Sequence, residues 1–553
     1  MRGADALIAA LERAGVDTVF GMPGGASLPL YDALLDSSLR HVLMRHEAAA
    51  GHAAEGYARA TGRIGVAFAT SGPGATNLVT PICDAQMDSI PTLFVTGQVR
   101  TALRGTNAFQ EADVIGITAP IVKHSLAIER PDDIAQAVAD AVHVATTGRP
   151  GPVLLDLPVD VANAPARPAA PHAPQIPGYK PRPRPNGRQV RIAARAIAAA
   201  RRPVLYAGGG VVHAGAAAEL TALARLADLP VTTTLMALGA FPAGDRRWLG
   251  MLGMHGTCAA NWAIDEADLI VAVGARFDDR VTGALDEFAP RAKVVHVDID
   301  PSEIGKNVAA HVPIVGDARR ALAAIAEAYA PLGADPARLA GWWARIDGWR
   351  AHGAPRTDAE AALDALNDAL GDAIVTTDVG QHQMWAANRL RFDEPRRWIT
   401  SGGLGTMGFG LPAAIGAQVA RPDATVVCVT GEGSLLLNVQ ELATAAHERL
   451  PVKVIVLDNA SLGMVRQQQD MFWGGRRSAV DLGGTPDWPA LAAAFGLAAR
   501  GIDTTRDAAG AIADTLAEPG PALLRIAIDP DSDCLPMFRP GGAAREMIGY
   551  TST

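Results

Sequence analysis

The sequence predicts an α/β protein built from three doubly wound parallel-sheet domains. Short apolar runs alternate with helical stretches along nearly the whole chain, the sign of parallel strands joined by crossover helices. Glycine turns stand directly after several of these runs, at the strand ends where open parallel sheets bind ligands. The length of 553 residues suits three or four domains of about 150 residues each. No short-period repeat marks a solenoid, so the blocks read as divergent copies of one layer type.

In the first block, residues 1–164, an N-terminal helix leads into a strand over 17–20, with further strands over 65–70, 92–96 and 153–157. The N-terminal stretch carries Asp5 and Glu12, where a signal peptide would be uncharged. Gly21-Met22-Pro23-Gly24-Gly25 and Ser71-Gly72-Pro73-Gly74-Ala75 each follow a strand. Residues 165–187 are dense in proline and form a linker, whose basic stretch is a solvated connector. The second block, 188–345, opens with a helix over 192–200 and a strand over 203–207, followed by strands over 268–273 and 293–297. A tryptophan-containing helix over 339–350 leads out, and 346–358 form a second linker. The third block, 359–553, has strands over 373–377, 424–430, 453–457 and 522–528.

Composition narrows the function. The formal net charge is -9 and no Lys/Arg block stands out, which argues against nucleic acid as a partner. Cys83, Cys258, Cys428 and Cys534 show neither CxxC spacing nor disulfide-rich density, so a reducing compartment is expected. No uninterrupted apolar run reaches membrane-spanning length, and a cytoplasmic location follows by default.

The chemistry concentrates late in the chain. Gly431-Glu432-Gly433-Ser434 ends one apolar run, and Asp458-Asn459 ends the next, one helical crossover later. The glycines let backbone N–H groups approach phosphate oxygens, and the helix expected over 437–447 points its positive end at them. Glu432 and Asn459 offer oxygens to a hard cation, with the Ser461 carbonyl as a third. Mg²⁺ is bound in this manner, by few protein oxygens plus phosphates. A glycine pair at one strand end is commonly a mere turn; paired with the second strand end it becomes a magnesium–diphosphate cradle.

At these residues the chain resembles the catalytic subunits of the acetohydroxyacid synthases (acetolactate synthases), which are thiamine diphosphate enzymes. The likeness rests on residues 431–434, 438–442 and 462–467. Further strings lie in order along the chain: Phe20-Gly21 with Pro23-Gly24-Gly25, TSGPGATN over 70–77, Phe109-Gln110-Glu111, and GRPGPV over 148–153. Later come Leu252-Gly253-Met254-His255-Gly256, GARFDDR over 274–280, Asp378-Val379-Gly380-Gln381-His382, and GLGTMGFG over 403–410.

The resemblance implies decarboxylation of pyruvate and its joining to a second 2-ketoacid, pyruvate or 2-ketobutyrate, in branched-chain amino acid synthesis. It implies thiamine diphosphate, Mg²⁺ and a structural FAD as cofactors. It also implies a homodimer or homotetramer whose site is built across a subunit interface, and a small regulatory subunit as a further partner. Glu47 matches the acid beside the cofactor pyrimidine, where one carboxyl shielded from water suffices. Taken alone, Glu47 reads equally well as a surface residue at a helix start, paired with Arg45 or His46. Gln110 and Phe109 fall where the family lines its reaction chamber, and Gly25 is a backbone N–H donor to the same region. Val379, Gly380, Gln381, His382, Gly405, Met407, Gly431, Gly433, Ser434 and Met464 match thiamine diphosphate positions, Met407 bracing the bent cofactor. Glu432, Asn459 and Ser461 match the metal positions.

In the middle block, Tyr206-Ala207-Gly208-Gly209-Gly210 is a strand entering a glycine turn, without the full GxGxxG spacing. A hydride-transfer site and a structural flavin compete for it; the strings at 274–280 and 298–301 favour the flavin through the resemblance. Gly208, Gly209, Arg276, Asp300 and Asp317 match the family's FAD region. Arg276 can also grip a ketoacid carboxylate by a bidentate ion pair, or form a structural salt bridge with Asp278 or Asp279.

Four residues depart from the family pattern. Glu432 stands for the usual aspartate, Gln468 for a tryptophan that shapes the acceptor pocket, Val159 for a lysine, and Ala48 for a glutamine. They keep open a thiamine diphosphate decarboxylase, oxidase or ligase with another acceptor, and a non-catalytic paralogue that lost its metal. A nicotinamide dehydrogenase lacks its glycine fingerprint.

Overall fold

The structure is a computed structural model that describes residues 1–552 except 168, 169, 175, 182, 183, 334, 354 and 355. It contains three six-stranded sheets, each parallel throughout. The first comprises β1 (Thr18–Gly21), β2 (Arg40–Leu43), β3 (Gly65–Ala69), β4 (Thr92–Gln98), β5 (His124–Ala127) and β6 (Val153–Pro158), in the order β2-β1-β3-β4-β6-β5. The second comprises β7 (Pro203–Ala207), β8 (Val231–Thr233), β9 (Trp248–Met251), β10 (Leu269–Val273), β11 (Lys293–Asp298) and β12 (Val312–Val315), ordered β12-β11-β10-β7-β8-β9. After β13 (His352–Gly353) come β14 (Ile374–Thr377), β15 (Trp398–Ile399), β16 (Val426–Gly431), β17 (Lys453–Asp458), β18 (Ala498–Ile502) and β19 (Ala522–Ala527). These six form the third sheet, in the order β15-β14-β16-β17-β19-β18. A last strand, β20 (Thr551–Ser552), pairs antiparallel with β13.

Every residue of β3, β4, β6, β10, β16 and β17 is buried. Helices cover both faces of such sheets, which is why these strands read as unbroken apolar runs. The first and third sheets share one strand order, but the middle sheet does not. There the chain steps back from β9 past β7 to lay down β10, and the order reverses between β7 and β10. The expectation of three like copies therefore holds for the outer sheets alone, and the middle one has the doubly wound order typical of dinucleotide-binding folds.

The first expected linker lies between the helices Val159–Asn163 and Gly187–Ala199, much as the sequence suggested, and the second is shorter. Asn186 caps the helix Gly187–Ala199, its side chain accepting from the Arg188 and Gln189 N–H groups. The helix Ala340–Arg350 runs through the start of the second linker because its tryptophans are anchored in the middle domain. Trp342 Nε1 donates to the Pro203 carbonyl and Trp343 Nε1 to the Asp228 carboxylate.

The first and third domains are joined by the helices Glu47–Thr61 and Gly410–Ala420, which pack with almost no space between their backbones. A Cβ on Gly416 would lie 1.9 Å from the Ala53 carbonyl oxygen, and one on Gly56 would lie 2.1 Å from that of Ala413. Gly416→Ala should therefore destabilise the protein by about 3 kcal/mol, the upper end for overpacking. A thermal unfolding midpoint unchanged from the wild type would contradict this packing.

Candidate active site

Strands β16 and β17 deliver the cradle to the carboxyl edge of the third sheet. β16 ends at Gly431, and a one-turn helix, Glu432–Leu435, starts there. The helix expected over 437–447 begins only at Glu441. Asn438 interrupts it by donating from Nδ2 to the Gly408 carbonyl at 2.7 Å, a tie to a distant loop. Beyond β17, the Glu432 carboxylate and the Asn459 side-chain oxygen both accept from the Ser461 N–H, at 2.8 and 3.1 Å. Two hard oxygens thus converge on one turn. Burial pushes the Glu432 carboxyl up to about 7.

All the residues expected to hold the cofactor tail and metal, Gly405 excepted, line one pocket of about 70 Å³ at this edge. Gly431 leaves room for the His382 ring, since a Cβ there would stand 2.9 Å from Nδ1. His382 Nε2 is buried and, among the described residues, has no hydrogen-bond partner. Burial lowers the imidazole pKa to about 4, so the ring is neutral near pH 7. A glycine turn and two converging oxygens are the chemistry that a diphosphate with a divalent cation requires, and the His382 ring lines the same pocket. Asp378, beneath the pocket, accepts from the N–H groups of Val379, Gly408 and Gly410 and fixes the surrounding turns.

The loop bearing Gly405 and Met407 is held from the first domain. Asp84 accepts from Ser401 Oγ at 2.5 Å, and Asp88 accepts from the N–H groups of Gly402 and Gly403 at 3.0 and 2.7 Å. Arg59 Nη2 lies against both carboxylates.

Four further expected residues gather at the carboxyl edge of the first sheet. Glu47 is the first residue of its helix and is only 6 % exposed. Asn77 Nδ2 donates to its carboxylate at 3.0 Å, and a Cβ on Gly74 would come 3.2 Å from Oε1. The alternative of a surface residue paired with its neighbours does not hold. Arg45 Nη1 donates instead to the Leu43 carbonyl, and His46 Nδ1 accepts from the Ala48 N–H as the helix cap. Gly25, itself exposed, opens the turn Gly25–Ser27, which ends on the buried Ser27. Phe109 is 88 % exposed, and Gln110, in a left-handed conformation with φ of 59°, packs against Gly72. None of these four lines the cradle pocket of the same chain. One chain therefore carries two separate groups of expected site residues on two sheet edges.

A larger cavity of about 1290 Å³ lies beside the β7–β10 reversal. Gly209, Arg276, Asp317, Gly405 and Gln468 line it, and it shares Val379, Gly380 and Met464 with the cradle pocket. Gly208 and Asp300, expected in the same site, are not among the residues that line it. A Cβ on Gly208 would strike the Gly274 carbonyl oxygen at 2.1 Å, and Asp300 accepts from Ser302 and faces Arg149. Arg276 makes no ion pair with Asp278 or Asp279, contrary to the alternative raised from sequence. Asp278 caps the helix Asp279–Thr282, Asp279 faces Arg280, and among the described residues the Arg276 guanidinium has no acidic partner. A cation left unpaired in a cavity of this size suits an anionic cofactor or substrate.

Arg149 and Asp298 lie within strings noted in the sequence but are not among the site residues expected from it. Arg149 lines the cavity and pairs with Glu303 at 2.8 Å; Asp298, which burial pushes up to about 6, lines it too. Arg149 lies inside the string at 148–153, but nothing in that string marks it as facing a cavity in the next domain.

Comparison with known proteins agrees with this architecture. Residues 1–117 match the thiamine pyrophosphate enzyme N-terminal TPP binding domain, 190–325 the central domain, and 378–526 the C-terminal TPP binding domain. The acetolactate synthase of Mycobacterium bovis is 50% identical over 567 residues, covering 99% of this chain and 91% of that protein. An acetolactate synthase large subunit of Parasynechococcus marenigrum is 51% identical over 100% of this chain and 91% of its own. A probable acetolactate synthase large subunit of Methanocaldococcus jannaschii is 46% identical, covering 99% and 95%. With a diphosphate-suited cradle on one sheet edge and a buried acid on another, the chain belongs to the thiamine pyrophosphate enzymes, in the family of acetolactate synthase large subunits.

Proposed function

We propose that the chain is the catalytic subunit of an acetolactate synthase, which decarboxylates pyruvate and joins the product to a second 2-ketoacid. The observation that carries this is the convergence of Glu432, Asn459 and the orphaned His382 Nε2 in one buried pocket. Thiamine diphosphate, when bound, supplies the electron sink for losing carbon dioxide. Glu432, Asn459 and the Ser461 carbonyl would hold Mg²⁺. The turn at Gly431, Gly433 and Ser434, with His382, would hold the diphosphate, and Met407 would brace the ring. Glu47 would hold a proton at the pyrimidine nitrogen, out of reach of bulk water. Gly25, Phe109 and Gln110, on the same edge as Glu47, would face the reacting ketoacid.

Because Glu47 does not line its own chain's cradle, we take the complete site to form between two copies, in a homodimer or in a homotetramer of two such pairs. The large cavity is the place for FAD, with Gly208, Gly209, Arg276, Asp300 and Asp317 around it; Arg276 can alternatively take a ketoacid carboxylate. Residues 1–164, 188–345 and 359–553 then serve as pyrimidine-binding, flavin-type and diphosphate-binding domains. Several relatives are named as large subunits, which supports a small regulatory subunit as a partner. No helix of the described residues is long and apolar enough to cross a membrane, in keeping with a cytoplasmic biosynthetic role.

Incubation with pyruvate, Mg²⁺ and thiamine diphosphate tests the proposal. Acetolactate is the expected product; acetaldehyde or peroxide would identify a decarboxylase or an oxidase instead. Gln468 borders the shared end of the cavity, where an acceptor would stand. The two acceptors differ by one methylene, so Gln468→Trp should raise the preference for 2-ketobutyrate over pyruvate by about tenfold. Equal product ratios in competition would remove residue 468 from acceptor choice.

A further inference from the structure

The turn that presents Glu47 is held from the third domain. The helix Glu441–His447, with Glu448 after it, lies along β2, the edge strand of the first sheet, and meets that strand and its exit at three places. At its far end Glu448 pairs with Arg40 at 2.9 Å. In the middle, Thr444 Oγ1 lies 3.4 Å from the Leu43 carbonyl. At its near end the fully buried Glu441 carboxylate accepts from the Arg45 N–H at 3.0 Å and from Thr444 Oγ1 at 2.7 Å. Residues 441, 444 and 448 share one helix face, so the contacts run in register toward the strand exit.

Arg45 stands two residues before Glu47, between the end of β2 and the His46 cap. An N–H at a strand exit has no ladder partner, and when buried it needs an acceptor from elsewhere. Glu441 is that acceptor, 396 residues away in sequence. Asn77 fixes the tip of the Glu47 side chain, and His46 fixes the start of its helix. The backbone entering the helix is the remaining freedom.

We infer that Glu441 is a positioning residue for Glu47: its carboxylate pins the Arg45 N–H and so sets where the catalytic acid stands. The inference rests on the role given to Glu47 above. A small displacement of such an acid costs rate rather than binding, and about 1 Å can cost about 100-fold.

The test is exchange of the thiazolium C2 hydrogen for deuterium in the holoenzyme, loaded with Mg²⁺ and thiamine diphosphate, followed by acid quench and NMR. This reports proton removal without any ketoacid. Glu441→Ala should slow exchange by at least about tenfold, with cofactor affinity by calorimetry within about threefold of wild type. Glu441→Gln keeps an oxygen for the Arg45 N–H and should exchange within about threefold of wild type. Glu441→Asp keeps the charge but withdraws the acceptor by one methylene; it should also slow exchange, and it serves if the alanine variant does not fold. Glu47→Gln is the control. If it slows exchange and neither Glu441→Ala nor Glu441→Asp does, Glu441 is only a structural tie. If Glu47→Gln exchanges at the wild-type rate, the role of Glu47 itself is lost.

Discussion

Replacing Glu47 by Gln should cut turnover by about 100- to 10,000-fold, the usual contribution of a positioned proton-transfer group, while fold and cofactor affinity persist. Gln is nearly isosteric with Glu. It keeps an oxygen for the Asn77 Nδ2 donor, and the helix start at residue 47 with its His46 cap is untouched. What disappears is the ionisable proton. Steady-state kcat, thermal unfolding and calorimetric titration with thiamine diphosphate and Mg²⁺ separate these effects. A variant with wild-type kcat would show that Glu47 takes no part, whatever its burial.

Glu432→Ala should fail in the opposite way, at binding. It removes one of the two oxygens that meet at the Ser461 N–H and leaves Asn459 as the one side-chain oxygen there to face a cation. Loss of a direct ligand exceeds the loss of an outer-shell partner, so affinity for Mg²⁺ with thiamine diphosphate should fall by more than about 100-fold. Activity at saturating cofactor should return in part, because the acid on the first sheet is intact. Stripping Mg²⁺ from the wild type with EDTA should release the cofactor similarly, seen as its separation from protein on gel filtration. Unchanged calorimetric binding by Glu432→Ala would place the metal elsewhere.

The central strands were legible in the sequence because burial on both faces leaves continuous apolar runs, as in 203–207 and 453–457. Three edge strands were not. β5 alternates exposed and half-buried residues, β18 is mostly exposed or half-buried, and β15 is two residues long. Strand order is invisible to periodicity, and so the distinct winding of the middle sheet emerged only from the fold. At the cradle, residue types and spacing pointed to Glu432, Asn459 and the glycines. The helix break did not show, because it depends on the reach of Asn438 to Gly408. At Arg276 the alternative of a local salt bridge falls away, because its acidic neighbours in sequence are occupied as a helix cap and against Arg280. Glu441, Asp84 and Asp88 act across hundreds of residues, where no local pattern can announce them.

The most direct test of the shared site is complementation between two crippled chains. Glu47→Gln and Glu432→Ala subunits, each nearly inactive alone under limiting cofactor, are co-expressed and purified together. If the acid of one chain serves the cradle of the other, half of the sites in each mixed pair are intact, and activity should recover to about a quarter of wild type. Activity no greater than the sum of the two separate variants would contradict a site assembled from both chains.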